Sequence, residues 1–390
     1  MAWHRLASSG RARHVCVALA TVIAFAMFAL PAEASVGLME IPGKDGHGAV
    51  TVFYASTDDA APVKRGPFTF RLAWQGAPVR GNGRLIVISH GSGGSPWVHA
   101  NLAQTLVAEG FVVAVPEHRG DNYRDPSTPG PESWKQRPAE VSRAIDVVGQ
   151  DARLQSLVSL DKVGVYGMSA GGHTALTLAG GRWSPARFTE HCEAHIADDF
   201  AACVGLAAAL RGNFLDGPKI TLALWVIRAR FRDATWQTYT DSRIAAIAAA
   251  VPYAADFDMS SLAAPRVPLG LVTARRDKWL RPRFHSDAVL AACEPCELIA
   301  DLPTGGHGAL LAPMPPGLSG IVGDLLNDPP GFDRAELPEV DARIVAFFRI
   351  SFVFVIPMML PVKRPAADHE NSLCCGVEAS PTHGCRRDVA

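Results

Sequence analysis

A serine flanked by small residues is the strongest chemical signal in the chain. Ser169 stands in the run Gly167-Met168-Ser169-Ala170-Gly171, between an apolar segment and one rich in Ala and Leu. Glycines two positions before and after a serine are what a tight turn from a strand into a helix requires. At a helix N-terminus, the helix dipole and free backbone N–H groups favour developing negative charge. The pattern predicts that Ser169 is a nucleophile.

A serine hydroxyl needs a base to remove its proton, and the base needs an acid that orients it. His307 lies in a Gly-Gly-His-Gly run after the last expected strand. Asp277 follows an apolar run at 269–274. Because the chain order serine, acid, histidine is the one used by hydrolases with this type of turn, we predict Asp277 as the acid and His307 as the base.

Other residues compete for these roles. His285 is a second candidate base, although it lies on an expected helix, and Asp256 and Asp258 also follow an apolar run. Spacing compatible with a metal occurs at His191, Cys192 and His195. A disulfide at Cys192 would remove one of these ligands, so no metal site and no cofactor are expected.

A carbonyl oxygen that becomes negative needs N–H donors directed at it. One donor is expected to be Ala170, next to the nucleophile. The other is expected to be Ser92, in the glycine-rich run at 90–94 that follows an apolar run at 85–89. Three further side chains near these loops are expected to contact substrate: Trp97, His118 and Trp279.

The elements that would position these residues alternate apolar and amphipathic segments over residues 35–350, the expected catalytic domain. Uncharged, β-branched runs predict buried strands at 85–89, 111–115, 163–166 and 269–274. The expected fold is therefore α/β, a mostly parallel sheet with helices on both faces. An antiparallel pair formed by 50–54 and 68–74 is expected to precede it.

Two segments depart from this rhythm. Residues 180–264 contain apolar stretches at 220–231 and 244–251, and we expect a helical insertion there. Such an insertion is either a lid above the site or a set of extra core helices. Residues 351–390 combine a proline-interrupted apolar run with a polar end, so we expect a disordered tail.

The N-terminus predicts an export signal. Basic residues precede an apolar stretch at 15–30, and Ala32-Glu33-Ala34 fits a cleavage site before Ser35. The stretch is shorter than the roughly 20 apolar residues that span a bilayer. We therefore expect residues 1–34 to be removed, no stable membrane insertion of the remaining chain, and a secreted or periplasmic protein.

Cysteine usage fits an oxidising compartment. We expect disulfides between Cys192 and Cys203 and between Cys293 and Cys296, with free thiols as the alternative. The formal net charge is −1 and no long basic run occurs, so no nucleic-acid partner is expected.

Together these motifs resemble those of the α/β-hydrolase superfamily. The HGSGG loop, the PEHRGDN segment, the GMSAGG turn, the Asp after LGLVTA and the GGHG loop are similar to the predicted dienelactone hydrolase group, close to the platelet-activating-factor acetylhydrolase-like enzymes. The resemblance covers roughly residues 37–349 and implies an eight-stranded hydrolase sheet and hydrolysis of a carboxylic ester. Dienelactone hydrolases proper use a cysteine nucleophile, so Ser169 argues against lactone cleavage in aromatic catabolism.

The residues and the resemblance predict a secreted serine esterase or lipase-like enzyme, acting on a small or polymeric ester through an acyl-enzyme. The same three residues would serve hydrolysis of an amide, a peptide or a thioester. A binding protein without activity, built on the same scaffold, is the third hypothesis, and it predicts the loss of at least one member of the triad.

Overall fold

The computed structural model describes residues 34–353, in which ten strands form one sheet. The expectations for residues 1–33 and 354–390 therefore lie outside the described residues. In chain order the strands are β1 (Ser35–Ile41), β2 (Val50–Ser56), β3 (Ala61–Arg65), β4 (Phe68–Trp74), β5 (Leu85–Ser89), β6 (Val112–Pro116), β7 (Val163–Met168), β8 (Ile244–Ala250), β9 (Leu269–Ala274) and β10 (Glu297–Leu302). Their order across the sheet is β10-β9-β8-β7-β5-β6-β2-β1-β4-β3.

The predicted α/β class is correct, but the strand count and the pairing at one end differ. The first six strands in this order, β10-β9-β8-β7-β5-β6, are all parallel to their neighbours. The next strand, β2, pairs antiparallel with both β6 and β1. The sheet thus has ten strands rather than eight and is partly antiparallel. The expected pairing of 50–54 with 68–74 is wrong, because β1 lies between β2 and β4 and is parallel to β4. The sequence pattern did not predict strand β3. An edge strand needs little apolar surface, and only Val63 of the residues in β3 is buried.

Helices cover both faces of the sheet. They are α1 (Ala100–Ala108), α2 (Pro131–Gln150), α3 (Ala170–Leu178), α4 (Pro185–His195), α5 (Phe200–Val204), α6 (Asp216–Arg230), α7 (Ser286–Ala292), α8 (Gly320–Leu326) and α9 (Leu337–Val353). Apolar side chains of α1 and α9 fill one face, and those of α2 and α3 fill the other together with part of α4 to α6. No helix among residues 34–353 is long and apolar enough to cross a membrane.

The expected helical insertion over 180–264 is only partly correct. Helices α4, α5 and α6 do form, but Ile244–Ala250 is the central strand β8, paired in parallel with β7 and β9. The alanine-rich run IAAIAAA suits a helix by propensity. Burial between two strands and two helical layers overrides that preference, and six of its seven residues are buried.

Both predicted disulfides are present in the structure. Cys192 in α4 is bonded to Cys203 in α5, and Cys293 is bonded to Cys296 in the turn that follows α7. Because each pair is close in sequence, each bond braces a local turn rather than joining distant parts of the fold.

Candidate active site

Ser169 occupies a strained turn between β7 and α3. Its φ of 58° and ψ of −117° lie where side-chain-bearing residues are rare. Small neighbours make the turn possible, because a Cβ on Gly167 would overlap the carbonyl oxygen of Gly171, and a Cβ on Gly171 would overlap that of Ser89. The N–H of Ser169 donates to the carbonyl of Ala250 at 3.0 Å. The turn therefore holds the hydroxyl at the carboxyl end of the parallel strands, with the residue 9% exposed.

His307 and Asp277 extend a line of hydrogen bonds from Ser169. The serine Oγ lies 2.9 Å from His307 Nε2, and His307 Nδ1 lies 2.7 Å from Asp277 Oδ2. The other carboxylate oxygen accepts the N–H groups of Trp279 and Leu280, each at 2.8 Å. Because the carboxylate only accepts, Nδ1 carries the imidazole proton and Nε2 is left to accept the proton of the serine. The structure thus brings together the three residues that the sequence predicts as nucleophile, base and acid.

Arg334 anchors the loop that carries His307. Its guanidinium donates to the carbonyl oxygens of Leu311 at 2.7 Å and Gly308 at 3.2 Å, and it pairs with Asp328 at 2.6 Å. Sequence reasoning missed this residue, since its targets are backbone carbonyls and no local motif marks it.

The glycine-rich loop after β5 lies against Ser169. A Cβ placed on Gly91 would be 3.4 Å from the Cβ of Ser169. Among the described residues, the N–H groups of Ser92 and Ala170 donate no backbone hydrogen bond. Both predicted donors are therefore available to an oxygen atom bound beside the serine.

A fully buried ion pair, Arg137 with Asp121, holds this loop from behind. Arg137 Nη2 lies 2.8 Å from Asp121 Oδ2, and both side chains are 0% exposed. Arg137 also donates to the carbonyl of His90 at 2.6 Å. Asp121 Oδ1 accepts the Ser92 hydroxyl at 2.6 Å and the Gly93 N–H at 3.0 Å. The pair therefore fixes the backbone on both sides of Gly91.

Charge and hydrogen bonds together keep Asp121 ionised. Burial by itself would raise its pKa, but Arg137 and the hydroxyl donors Ser92 and Ser133 outweigh burial, so the pKa of Asp121 is lowered. Sequence reasoning named the segment that contains Asp121, but it missed Arg137. Only the position of a charged residue on the buried face of a helix could have drawn attention to it.

His118, which the sequence predicts to contact substrate, is completely buried, and this burial gives no support to such a contact. His118 Nδ1 donates to Glu140 at 2.6 Å, and Nε2 accepts the Ser89 hydroxyl at 2.8 Å. Burial lowers the pKa of His118 well below its ordinary value, so the ring stays neutral. The residue links α2 to the end of β5, next to the glycine-rich loop.

The two tryptophans predicted to contact substrate lie in different surroundings. Trp97 is 5% exposed and packs in the core, with its ring 6.4 Å from that of Phe70. This burial gives no support to a substrate contact for Trp97. Trp279 is half-buried, and its ring centroid lies 5.1 Å from that of His307. Trp279 is therefore the one of the three that stands beside the candidate triad.

The competing residues have other partners. The contacts are His285 with Asp199 at 3.1 Å, Asp256 with His173 at 3.2 Å, and Asp258 with Arg182 at 2.8 Å. His191 also contacts Asp199, at 2.9 Å, and its neighbour Cys192 is bound in a disulfide. Within residues 34–353, no group of three or more His, Cys, Asp or Glu side chains is arranged to hold a metal ion.

Comparison with known proteins agrees with part of the resemblance. Residues 72–127 match the family described as platelet-activating factor acetylhydrolase, isoform II. This segment runs from β4 past β6 and contains the glycine-rich loop and Asp121. No curated protein matches the chain significantly. The family match supports a hydrolase of the lipase or esterase type. Over residues 72–127 the chain is thus similar to the platelet-activating factor acetylhydrolases, a family of the α/β-hydrolase superfamily, as its motifs predicted.

Proposed function

We propose that this chain is an exported serine hydrolase with the α/β-hydrolase fold, which cleaves carboxylic esters through Ser169, His307 and Asp277. The observation that carries the proposal is the unbroken line of hydrogen bonds that ends on a serine in a strained turn. Its two side-chain bonds measure 2.9 Å and 2.7 Å, and none of the three residues is more than 9% exposed. The family match over residues 72–127 supports an ester as the bond that is cleaved.

Acylation begins when His307 Nε2 removes the proton of the Ser169 hydroxyl and Oγ bonds to the carbonyl carbon of the ester. The carbonyl electrons move onto oxygen, where the N–H groups of Ser92 and Ala170 would stabilise the negative charge. The intermediate collapses as His307 gives its proton to the alkoxy oxygen, so that an alcohol leaves and Ser169 is acylated. Asp277 stabilises the imidazolium in between.

Deacylation repeats the same steps with water. His307 takes one proton of the water as its oxygen attacks the acyl carbon, and the same donors stabilise the second intermediate. Collapse breaks the bond to Oγ, returns the proton to Ser169 and releases the carboxylic acid. The net reaction consumes one ester and one water.

A p-nitrophenyl ester series, from acetate to long acyl chains, tests the proposal. We expect Ser169→Ala to reduce kcat by about 10³-fold or more, because the nucleophile is lost while the fold is retained. Ser319→Ala, at an exposed serine whose hydroxyl makes no capping bond, is the matched control and is expected to keep full activity.

Each alternative gives a different result in this series. Equal activity of Ser169→Ala and the parent chain would refute the nucleophile. Turnover of amides, peptides or thioesters, but of no ester, would replace ester hydrolysis with another acyl transfer to water. Ligand binding without turnover of any of these substrates would favour a scaffold that only binds.

Two observations support export. Both disulfides join cysteines in pairs typical of an oxidising compartment. Strand β1 begins at Ser35, directly after the expected cleavage site, so cleavage there would leave its pairing of Ser35 with Ser56 intact. N-terminal sequencing of the protein from the extracellular or periplasmic fraction is expected to begin at Ser35, and an intact Met1 in that fraction would contradict cleavage.

A further inference from the structure

The loop that follows β8, residues 251–254, holds the backbone of Ser169. In this loop the N–H of Tyr253 donates to the Ser169 carbonyl oxygen at 3.2 Å. Just before it, the carbonyl of Ala250 accepts the Ser169 N–H at 3.0 Å. The loop is itself strained, since Val251 has a φ of 36°, which is a rare outlier for a β-branched residue. A strained backbone persists only where its surroundings fix it, so this loop needs an anchor.

His285 supplies that anchor through a backbone contact. Its Nδ1 accepts the N–H of Ala254 at 3.0 Å, and its Nε2 lies 3.1 Å from Asp199 Oδ2. Because an amide N–H can only donate, Nδ1 carries the lone pair and Nε2 the proton. Ala254, His285 and Asp199 are each at most 1% exposed, so the contact is shielded from solvent. The ring of His285 also packs against that of Tyr253, with centroids 4.9 Å apart.

Asp199 keeps His285 in the state that this contact needs. Burial by itself would raise the pKa of Asp199, but hydrogen bonds from His191 and His285 outweigh burial and lower the pKa to about 2. The ionised carboxylate accepts the Nε2 proton and leaves Nδ1 free for Ala254. The disulfide that joins α4 to α5 closes the segment that contains Asp199, so the carboxylate is itself held in place.

The pair of His285 and Asp199 resembles the base and acid of the candidate triad but has a different target. In the triad, the imidazole lone pair meets the hydroxyl of Ser169, whose proton it can remove. At His285 the lone pair meets a backbone amide. An amide N–H is far too weak an acid for imidazole to deprotonate, so this pair can orient the loop but cannot act on it as a base.

We propose that His285, oriented by Asp199, is a positioning residue for the nucleophile. It holds Ala254, and through it the Tyr253 N–H, against the carbonyl of the nucleophile. The strained turn then stays in the conformation that presents its hydroxyl to His307. This inference rests on the proposed function, because the position of Ser169 matters for turnover only if this serine is the nucleophile. The anchoring of the loop does not depend on turnover, so the two proposals can fail separately.

The first measurement is kcat and KM with p-nitrophenyl acetate. His285→Phe keeps a planar ring and removes both hydrogen bonds. We expect kcat to fall about 10²-fold with little change in KM, because a small misplacement of the nucleophile slows the chemical step. His191→Phe is the matched control, since it removes the other donor to Asp199 and makes no hydrogen bond to the loop. We expect it to keep kcat.

Two amide variants separate the contacts of His285. The amide oxygen of an Asn side chain can take the place of Nδ1 and accept from Ala254. A Gln side chain is longer, and its amide can take the place of Nε2 and donate to Asp199. We therefore expect His285→Asn to regain most of kcat and His285→Gln to stay close to His285→Phe. A residue that only filled the core would give the opposite order, because Asn leaves the larger cavity.

Hydrogen exchange of the peptide that contains Tyr253 and Ala254 follows the loop without any substrate. We expect exchange to be about tenfold faster in His285→Phe than in the parent, since one hydrogen bond of the loop is lost. Exchange in His285→Asn and His191→Phe should be close to that of the parent. A far-UV spectrum and melting temperature like those of the parent show that each variant is folded. If His285→Phe does not fold, the comparison of His285→Asn with His285→Gln decides.

Parent-like exchange of this peptide in folded His285→Phe would overturn the proposal. So would a kcat of His285→Asn no higher than that of His285→Gln. An equal loss of kcat in His191→Phe and His285→Phe would assign the effect to the buried charge of Asp199 and also overturn it. A parent chain that hydrolyses no ester would refute the proposed function alone, and the exchange measurement would still decide whether His285 anchors the loop.

Discussion

Arg137→Met removes the guanidinium that holds the glycine-rich loop and keeps an unbranched side chain in its place. Arg137 and Asp121 are both fully buried, and Arg137 also donates to the carbonyl of His90 at 2.6 Å. Removing one partner of a buried ion pair costs about 3–5 kcal/mol, because the other charge is left without compensation. Asp121 keeps its donors Ser92 and Ser133, so we expect a loss at the lower end of that range.

The same change is expected to reduce catalysis in a characteristic way. With its anchor gone, the loop no longer directs the Ser92 N–H at the reacting oxygen. Losing one such donor costs roughly 10²–10³-fold in kcat, with little change in KM, because the donor acts on the transition state. Arg137 is thus a positioning residue, and Arg137→Lys is expected to restore part of kcat.

The assay measures kcat and KM with p-nitrophenyl acetate and the free energy of unfolding in urea. Arg143→Met is the matched control, since Arg143 is on the same helix and donates at 3.0 Å to Gly48, far from the loop in sequence. We expect it to keep kcat. Arg137→Met combined with Asp121→Leu is expected to regain stability but not kcat, because the unpaired charge is gone while the loop stays unanchored. A folded Arg137→Met variant with the kcat of the parent, or with a raised KM alone, would refute this reasoning.

Two further predictions concern packing and pH. Gly171→Ala places a methyl group onto the Ser89 carbonyl, so we expect the free energy of unfolding to fall by about 1–3 kcal/mol or more and most of the activity to be lost. Gly217→Ala is the control: its new methyl group meets nothing within 4 Å and should not lower the free energy of unfolding. Urea unfolding of the two variants checks this, and a similar loss in both would contradict it. Burial raises the pKa of Asp341 to about 7, so the native state holds a proton that the unfolded chain releases near pH 4, and stability falls as pH rises from 4 to 7. Asp341→Asn should abolish that fall and be about 4 kcal/mol more stable than the parent at pH 8 but not near pH 4; parallel pH profiles of the two chains would contradict this.

The features that the sequence predicted well depend on near neighbours. The turn at Ser169 needs Gly167 and Gly171 because of backbone contacts within a few residues and with the end of β5. The disulfide partners are 3 and 11 residues apart, and this closeness in sequence favoured the pairing that the structure shows. The buried strands β5, β7 and β9 are marked by their own composition.

Other features were decided by contacts between distant parts of the chain. His307 with Asp277 and His285 with Asp199 are the same chemical pair, and only the tertiary structure shows that the first reaches Ser169. β8 is a strand because it lies between two others, against the preference of its alanines.

The residues that support the site illustrate the same division. The sequence by itself determined the nucleophile turn and the glycine-rich loop, since each is encoded in a short run of residues. It also determined the chain order of the candidate triad. Only the tertiary structure paired Arg137 with a carbonyl 47 positions away and buried His118, which local pattern had assigned to the substrate. The physical reason is that a short motif specifies backbone shape, whereas the environment of a charge depends on which elements pack around it.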